Sequence, residues 1–224
     1  MSDRFVLGEE RSALSAARAR SANGMAAQDP SATRGLLVAL AEGPALAPWV
    51  SARVGLPGTN EAGLSVTGQA LRADARHAFH WGSSALSLGL GLTGRSLSRG
   101  ALDLPGSDLD RAAGFGLDLP VLFGYRTDAD LISIWAGVRG SYDHWSGKVA
   151  LEPGADTSLR ATRWSGGPVL GLAVGVAPLY VAAELEADYA RVSGSLDGGP
   201  PPDPGSASVS GWSLRPAGAL IGKF

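Results

Sequence analysis

A histidine and a serine two positions apart are the residues in this sequence best suited to chemistry. His144 and Ser146 flank Trp145, Asp143 precedes them, and Glu152 follows. A serine beside a histidine that a carboxylate orients can attack an ester or amide, because the histidine accepts the hydroxyl proton. Loop polar residues next to an aromatic pair explain the same segment. We therefore predict no enzyme and keep His144 and Ser146 as the candidate catalytic pair.

Other chemical signals are weaker. The segment 89–94 matches G-x-G-x-x-G, but a dinucleotide site needs a helix after the glycines, and here the glycines alternate within a predicted strand. His77 and His80 lie beside a predicted turn and are interpreted as polar residues at its surface. The sequence has no cysteine and a formal net charge of −2. These features predict no metal, no cofactor and no nucleic-acid partner.

Charged residues recur at alternate positions of otherwise apolar segments. The candidates for one inward-facing network are Arg53, Asp118, Arg139, Arg163, Glu184, Glu186, Asp188 and Arg215. Arg72, Asp74 and Arg76 join them if their strand has the matching phase. The network would form either a gated polar path or a plug of paired charges. We favour the plug, because an unpaired charge in a narrow interior is costly.

The elements that carry these residues are predicted to be β-strands, because apolar residues recur at every second position from Trp49 onward. Alternation over ten or more residues is typical of transmembrane strands. The uncharged stretch 164–183 is predicted to form two strands joined at Ala177-Pro178. In strand two, Val66 and Leu71 differ in parity, which predicts a bulge near Gly68. The fold class is therefore all-β, an antiparallel up-and-down transmembrane β-barrel of about eight strands over residues 46–224.

Residues 1–45 differ from the rest and are predicted to form a short helical or irregular extension on the periplasmic side. Asn23-Gly24 would end a first helix and Asp29-Pro30 would start a second. The first residues do not have the pattern of an export signal, which predicts either a processed chain or a chain made without such a signal.

The predicted connections alternate in length. Links near 80–82, 127–129 and 177–178 are short, those near 95–110, 146–158 and 193–206 are longer, and only the short link near 57–60 breaks the pattern. Outer-membrane barrels have short turns on one side and long loops on the other. With both termini on the short-turn side, the predicted strand count is even.

Aromatic residues gather at two levels of these strands. The predicted long-loop level contains Phe115, Tyr142, Trp145, Trp164, Tyr189 and Trp212. The predicted short-turn level contains Trp49, Phe79, Trp81, Tyr125, Tyr180 and Phe224. Two aromatic girdles around an apolar band are typical of a membrane-spanning barrel, and only Trp135 falls in mid-strand.

In this pattern, residues 46–224 resemble the small eight-stranded outer-membrane barrels, the class of the OmpA transmembrane domain, OmpX and OmpW. Phe224, preceded by Leu220, resembles the C-terminal assembly signal of that class and differs from it at Gly222. The resemblance implies a monomer in the outer membrane of a Gram-negative bacterium, with both termini periplasmic. It also implies contacts with outer-membrane lipid and lipopolysaccharide, and with the barrel-assembly machinery during biogenesis.

The predicted function is that of an integral barrel with a narrow, charge-paired interior, serving as an anchor, a structural element or a display for surface loops. One alternative is a porin-like transporter or channel for small solutes. A second is a lipid hydrolase, since His144 and Ser146 resemble the site of outer-membrane lipid A deacylases, which have asparagine where this chain has Gly147. A third is a soluble lipocalin-like barrel, with a polar outside and an apolar inside.

Overall fold

The described residues form one antiparallel sheet. The computed structural model describes residues 49–67, 70–98, 107–127, 130–151, 155–197 and 206–222. The strands in them are β1 (Trp49–Leu56), β2 (Asn60–Thr67), β3 (Ala70–Trp81), β4 (Ser84–Ser98), β5 (Ser107–Arg126), β6 (Ile132–Leu151), β7 (Ala155–Val176), β8 (Leu179–Asp197) and β9 (Ala207–Gly222). Each strand pairs with the next along the chain. This confirms the all-β, antiparallel, up-and-down architecture.

In the described residues, no helix is long and apolar enough to cross a membrane. The predicted helical extension at residues 1–45 and the predicted assembly signal at Phe224 lie outside the described residues.

In the described part of the chain the sheet has nine strands where the sequence predicted about eight, because the predicted second strand is a hairpin. β2 ends at Thr67 and β3 begins at Ala70, and these two residues pair with each other. Val66 pairs with Leu71, so both lie on the same face in spite of their different parity. The two-residue link 68–69 thus produces the phase change that the sequence analysis attributes to a bulge.

Because the number of described strands is odd, the start of β1 and the end of β9 lie at opposite ends of the strands. We call the side with links 57–59, 82–83, 127–131 and 177–178 the short-link end, and the side with links 68–69, 99–106, 152–154 and 198–206 the long-link end. Trp49 begins β1 at the long-link end, and Gly222 ends β9 at the short-link end. Within the described residues the strand count is odd, not even as predicted, and Trp49 lies at the long-link end, not at the short-turn end where it was predicted. β1 and β9 run in the same direction, and within the described residues they do not pair with each other.

The link between β6 and β7 is shorter than predicted. β6 continues to Leu151 and β7 begins at Ala155, so most of the predicted loop 146–158 is strand. The candidate pair His144 and Ser146 consequently lies within β6.

The two faces of the sheet carry different side chains. On β8, Glu186 and Asp188 are buried, whereas Val181, Leu185 and Tyr189 are exposed. We call the face that carries Asp188 the charged face and the face that carries Leu185 the apolar face. Successive residues of a strand point to opposite faces, so the alternation in the sequence produces both faces directly.

Candidate functional site

The charged face balances its cations with carboxylates. Among the residues whose side chains the structure describes, seven arginines take part, namely Arg53, Arg72, Arg76, Arg95, Arg139, Arg163 and Arg215. Seven carboxylates accompany them, namely Glu61, Asp74, Asp118, Asp143, Glu184, Glu186 and Asp188. Each of these side chains forms at least one ion pair. All eight charges proposed from the sequence lie on this face, whereas their place inside a closed barrel stays a prediction.

The strands β6 to β9 hold a continuous chain of polar contacts, which we call the alternating chain. In order, its members are Trp135, Glu184, Arg139, Glu186, Arg215, Asp188 and Arg163. Arg139 lies 2.9 Å from Glu186 and 3.4 Å from Glu184, measured between nitrogen and oxygen. Because charges of opposite sign alternate, each buried group has a partner that offsets its loss of hydration.

A second cluster occupies β1 to β5 and centres on Asp74, whose side chain is almost fully buried. Arg53 donates to one carboxylate oxygen of Asp74 at 2.6 Å, and Arg72 donates to the other at 2.8 Å. Arg72 also donates to Asp118 at 2.8 Å and 3.0 Å, which is a bidentate contact of the kind that guanidinium groups favour. Arg76 lies 3.6 Å from Asp74. The cluster therefore joins strands that are two apart in the sheet.

Glycine in the intervening strand makes room for such contacts. Gly63 pairs with both Arg53 and Asp74, and a Cβ added to it would lie 2.9 Å from Asp74 Oδ2 and 3.0 Å from Arg53 Nη2. Gly91 and Gly171 lie under two other contacts of the charged face, where an added Cβ would overlap the side chains above it. The glycines are thus part of the construction of the charged network.

Three residues of this network, Arg95, Asp143 and Glu61, were not predicted from the sequence. Arg95 and Asp143 form an ion pair at 3.0 Å, with the Arg95 guanidinium over the ring of Trp145. Glu61 pairs with Arg53 at 3.3 Å. The predicted loop 95–110 includes Arg95, although its parity within an extended β4 would have put it on the charged face.

An aromatic stripe crosses the apolar face. Its members are Phe115, Tyr142, Trp164, Tyr189 and Trp212, one on each strand from β5 to β9. Ring centroids lie 6.2 Å apart for Phe115 and Tyr142, 4.5 Å for Tyr142 and Trp164, and 5.4 Å for Tyr189 and Trp212. The stripe is therefore an almost continuous row of rings.

The stripe runs obliquely to the hydrogen-bond rows. Tyr142 lies two residues from the partner of Phe115, and Tyr189 lies two residues from the partner of Trp164, both toward the short-link end. In the other two steps, Tyr142 with Trp164 and Tyr189 with Trp212, the two residues are direct pairing partners. From β5 to β9 the stripe is therefore displaced by four residues along the strands while it crosses four strand-to-strand spacings. This displacement means that the strands are tilted by about 35° from the line perpendicular to the stripe.

A second aromatic level lies toward the short-link end and includes Phe79, Trp81 and Tyr125, all exposed. On β5, Tyr125 is ten residues from Phe115, or about 33 Å along the strand. Between the two levels, the apolar face of the described strands carries no Asp, Glu, Lys or Arg side chain. The apolar face is therefore a broad band bounded by aromatic residues on both sides.

Three aromatic residues that were predicted to belong to the membrane girdles lie on the charged face instead, so their assignment to the girdles is wrong. Trp145 and Tyr180 are buried there, and Tyr180 donates a hydrogen bond to Asp130 at 3.1 Å. Trp49 has the same parity as Arg53 and so belongs to the charged face as well. Strand parity, which decides the face, separates these three from the aromatic residues of the stripe.

The candidate catalytic residues are not assembled as a triad. His144 and Ser146 lie on the opposite face of β6 from Asp143, because alternate residues of a strand point in opposite directions. The His144 ring lies 5.5 Å from Phe115. Glu152 is outside the described residues. Among the residues that the structure describes, no three His, Asp or Glu side chains form a candidate metal site.

No family model matches the sequence, and no curated protein matches it. Among solved structures, the chain is similar to a major outer membrane protein from Thermus thermophilus. The identity is 14% and the TM-score 0.35, over 80% of this chain and 99% of that chain.

Proposed function

We propose that this chain is an integral β-barrel of a bacterial outer membrane, in which the apolar face meets lipid and the charged face lines the interior. The apolar band between two aromatic levels carries the proposal. Val181 and Leu170 are 64% and 56% exposed, whereas Asp188 is 1% exposed. A sheet in water buries its apolar residues and exposes its charges, and this sheet does the reverse. Exposed apolar surface of this extent favours contact with lipid.

The height of the band fits a bilayer. The separation of about 33 Å along β5, projected through a tilt of about 35°, gives about 27 Å. The outward apolar band of outer-membrane barrels is about 25 Å tall, and the hydrocarbon core is about 30 Å thick. The tilt also lies near the range of roughly 35–45° found in such barrels.

Closure of the sheet between β1 and β9 is the finer part of the proposal. An open sheet edge within lipid would leave backbone N–H and C=O groups without partners, which costs several kcal/mol per group. Because β1 and β9 run in the same direction, direct closure would join them as a parallel pair.

We further propose an anchoring, structural or surface-interaction role. A small barrel is just wide enough for its inward side chains to fill it. The seven arginines and seven carboxylates of the charged face already pair with one another, which favours a plug over an open path. The links 99–106 and 198–206 at the long-link end would supply the surface for partners.

Membrane insertion is tested by expressing the chain in a Gram-negative host and fractionating the cells. We expect the protein in the outer-membrane fraction, soluble only in detergent, with faster gel migration before heating than after it. A monodisperse chain in the aqueous phase without detergent would overturn the barrel proposal and favour a soluble sheet.

The role of the interior is tested by planar-bilayer recording of the purified protein. The plug proposal expects no stable conductance. Discrete, reproducible conductance steps would replace it with the transport alternative, and the Glu186→Gln variant, which breaks the alternating chain, would then change the step size.

A further inference from the structure

The outward face changes character beyond the aromatic stripe, toward the long-link end. There the residues that continue the apolar face are cations and hydroxyl-bearing side chains, which we call the basic patch. Its cations are Lys148, Arg160 and Arg191, and its hydroxyl groups belong to Ser146, Thr162, Ser193, Ser195, Ser206, Ser208 and Ser210. No carboxylate side chain that the structure describes lies in this patch.

The three cations differ from the arginines of the charged face. All three side chains are exposed. Within the part of the chain that the structure describes, Lys148, Arg160 and Arg191 form no ion pair, whereas every arginine of the charged face does. Among the described side chains, no carboxylate therefore neutralises these three charges.

A groove lies within the basic patch. Its volume is about 460 Å³, and its lining includes Arg160, Thr162, Ser193, Ser195 and Ser208. Ser195 is the direct pairing partner of Arg160, and Ser193 is that of Thr162, so hydroxyl groups stand beside the guanidinium. A guanidinium with neighbouring hydroxyl donors matches the oxygen atoms of a phosphate group.

The height of the patch relative to the stripe matches a lipid headgroup region. Arg191 pairs directly with Trp164, a member of the stripe, and Arg160 lies four residues beyond Trp164 on β7. With about 2.7 Å of height per residue at the tilt given above, Arg160 lies roughly 11 Å above the stripe. The headgroup region begins where the hydrocarbon ends, at the level of the aromatic girdle.

We propose that the basic patch binds the phosphate groups of anionic lipids in the leaflet that faces the long-link end. This inference rests on the proposed function, since it takes the aromatic stripe as the membrane boundary. The patch holds the barrel at a fixed depth and orientation, because the opposite end of the described apolar face has no comparable group of unpaired cations.

The experiment titrates phosphatidylglycerol into the protein in zwitterionic detergent and counts bound lipid by native mass spectrometry, with phosphatidylcholine as the comparison lipid. The test variant combines Lys148→Ser, Arg160→Ser and Arg191→Ser. A second variant, Arg160→Lys with Arg191→Lys, keeps the charge and removes the guanidinium forks. Arg126→Ser is the matched control, because Arg126 is an exposed arginine near the short-link end that pairs with Asp130.

The wild type and the control are expected to prefer phosphatidylglycerol. The triple serine variant is expected to bind it about tenfold more weakly or worse, since each cation near an anionic lipid surface contributes measurably to affinity. The lysine variant is expected to fall between them. Unchanged heat-dependent gel migration verifies that each variant is folded.

Two failures are distinguishable. If the triple variant inserts and binds phosphatidylglycerol as tightly as the wild type, the basic patch is not a lipid site and the barrel proposal stands. If the wild type remains soluble without detergent, the barrel proposal fails and this inference fails with it.

Discussion

Trp135 donates a hydrogen bond from its indole nitrogen to Oε2 of Glu184, at 3.0 Å, across the strand that separates them. Gly171 pairs with both residues and lies under the contact. This relationship explains why Trp135 is the one tryptophan in mid-strand, away from both aromatic levels. It faces the charged face, where its N–H is the first member of the alternating chain, and its ring needs the space that glycine leaves.

Gly171→Ala is therefore expected to destabilise the protein. The added Cβ would overlap the Trp135 ring and push it from Glu184, with a loss of about 1–3 kcal/mol in the free energy of unfolding. Urea titration of the folded protein in detergent measures the change. Gly140→Ala is the matched control, because a Cβ there meets nothing within 4 Å. Equal effects at the two positions would contradict the packing argument.

Asp188→Asn is expected to lower the free energy of unfolding by about 3–5 kcal/mol, the usual range when one partner of a buried pair is removed. Asp188 is the shared partner of Arg163 and Arg215, so neutralising it weakens the ion pairs of two neighbouring cations at once, although Arg215 keeps its 3.6 Å contact with Glu186. Arg126→Gln breaks an exposed pair and should cost less than about 1 kcal/mol in the same urea titration. If Asp188→Asn also lowered the free energy of unfolding by less than about 1 kcal/mol, the alternating chain would contribute little to folding.

Leu170→Arg tests the lipid contact directly. In lipid vesicles it should reduce the folding free energy by about 2–4 kcal/mol, because Leu170 lies near the middle of the apolar band. Thr162→Arg lies beyond the stripe on the same strand and should cost no more than about 1 kcal/mol. On a water-exposed surface both substitutions would be nearly neutral, so equal and small effects would argue against a membrane.

Tryptophan quenching distinguishes the stripe from the charged face. In variants with a single tryptophan each, lipids brominated near the headgroup should quench Trp164 and Trp212 to a similar degree, since both belong to the stripe. Trp145 is 2% exposed and lies on the charged face, so it should resist the same lipids. Quenching of Trp145 equal to that of Trp164 would contradict the correction of its assignment.

Much of the fold could be predicted from the sequence because side-chain direction in a strand depends only on residue parity. The alternation of Phe115, Leu117 and Leu119 with Gly116 and Asp118 predicted both faces of β5. The eight proposed network charges share one face for the same reason. Ala177-Pro178 joins β7 and β8 as predicted, since glycine and proline disfavour a helix in this long apolar stretch and its apolar residues recur at every second position.

The strand count and the contact partners were decided by the tertiary structure. The hairpin at 68–69 and a bulge near Gly68 predict the same change of parity, and only the pairing of Val66 with Leu71 distinguishes them.

The pairs Arg95–Asp143 and Trp135–Glu184 join strands that are two apart. Such contacts depend on the register of two successive hairpins and on which residue lies between them. Local periodicity therefore determined the composition of each face, whereas the cumulative register of the sheet determined which charges meet. The physical reason is that parity is a property of one strand, while register is a property of its pairing with the next.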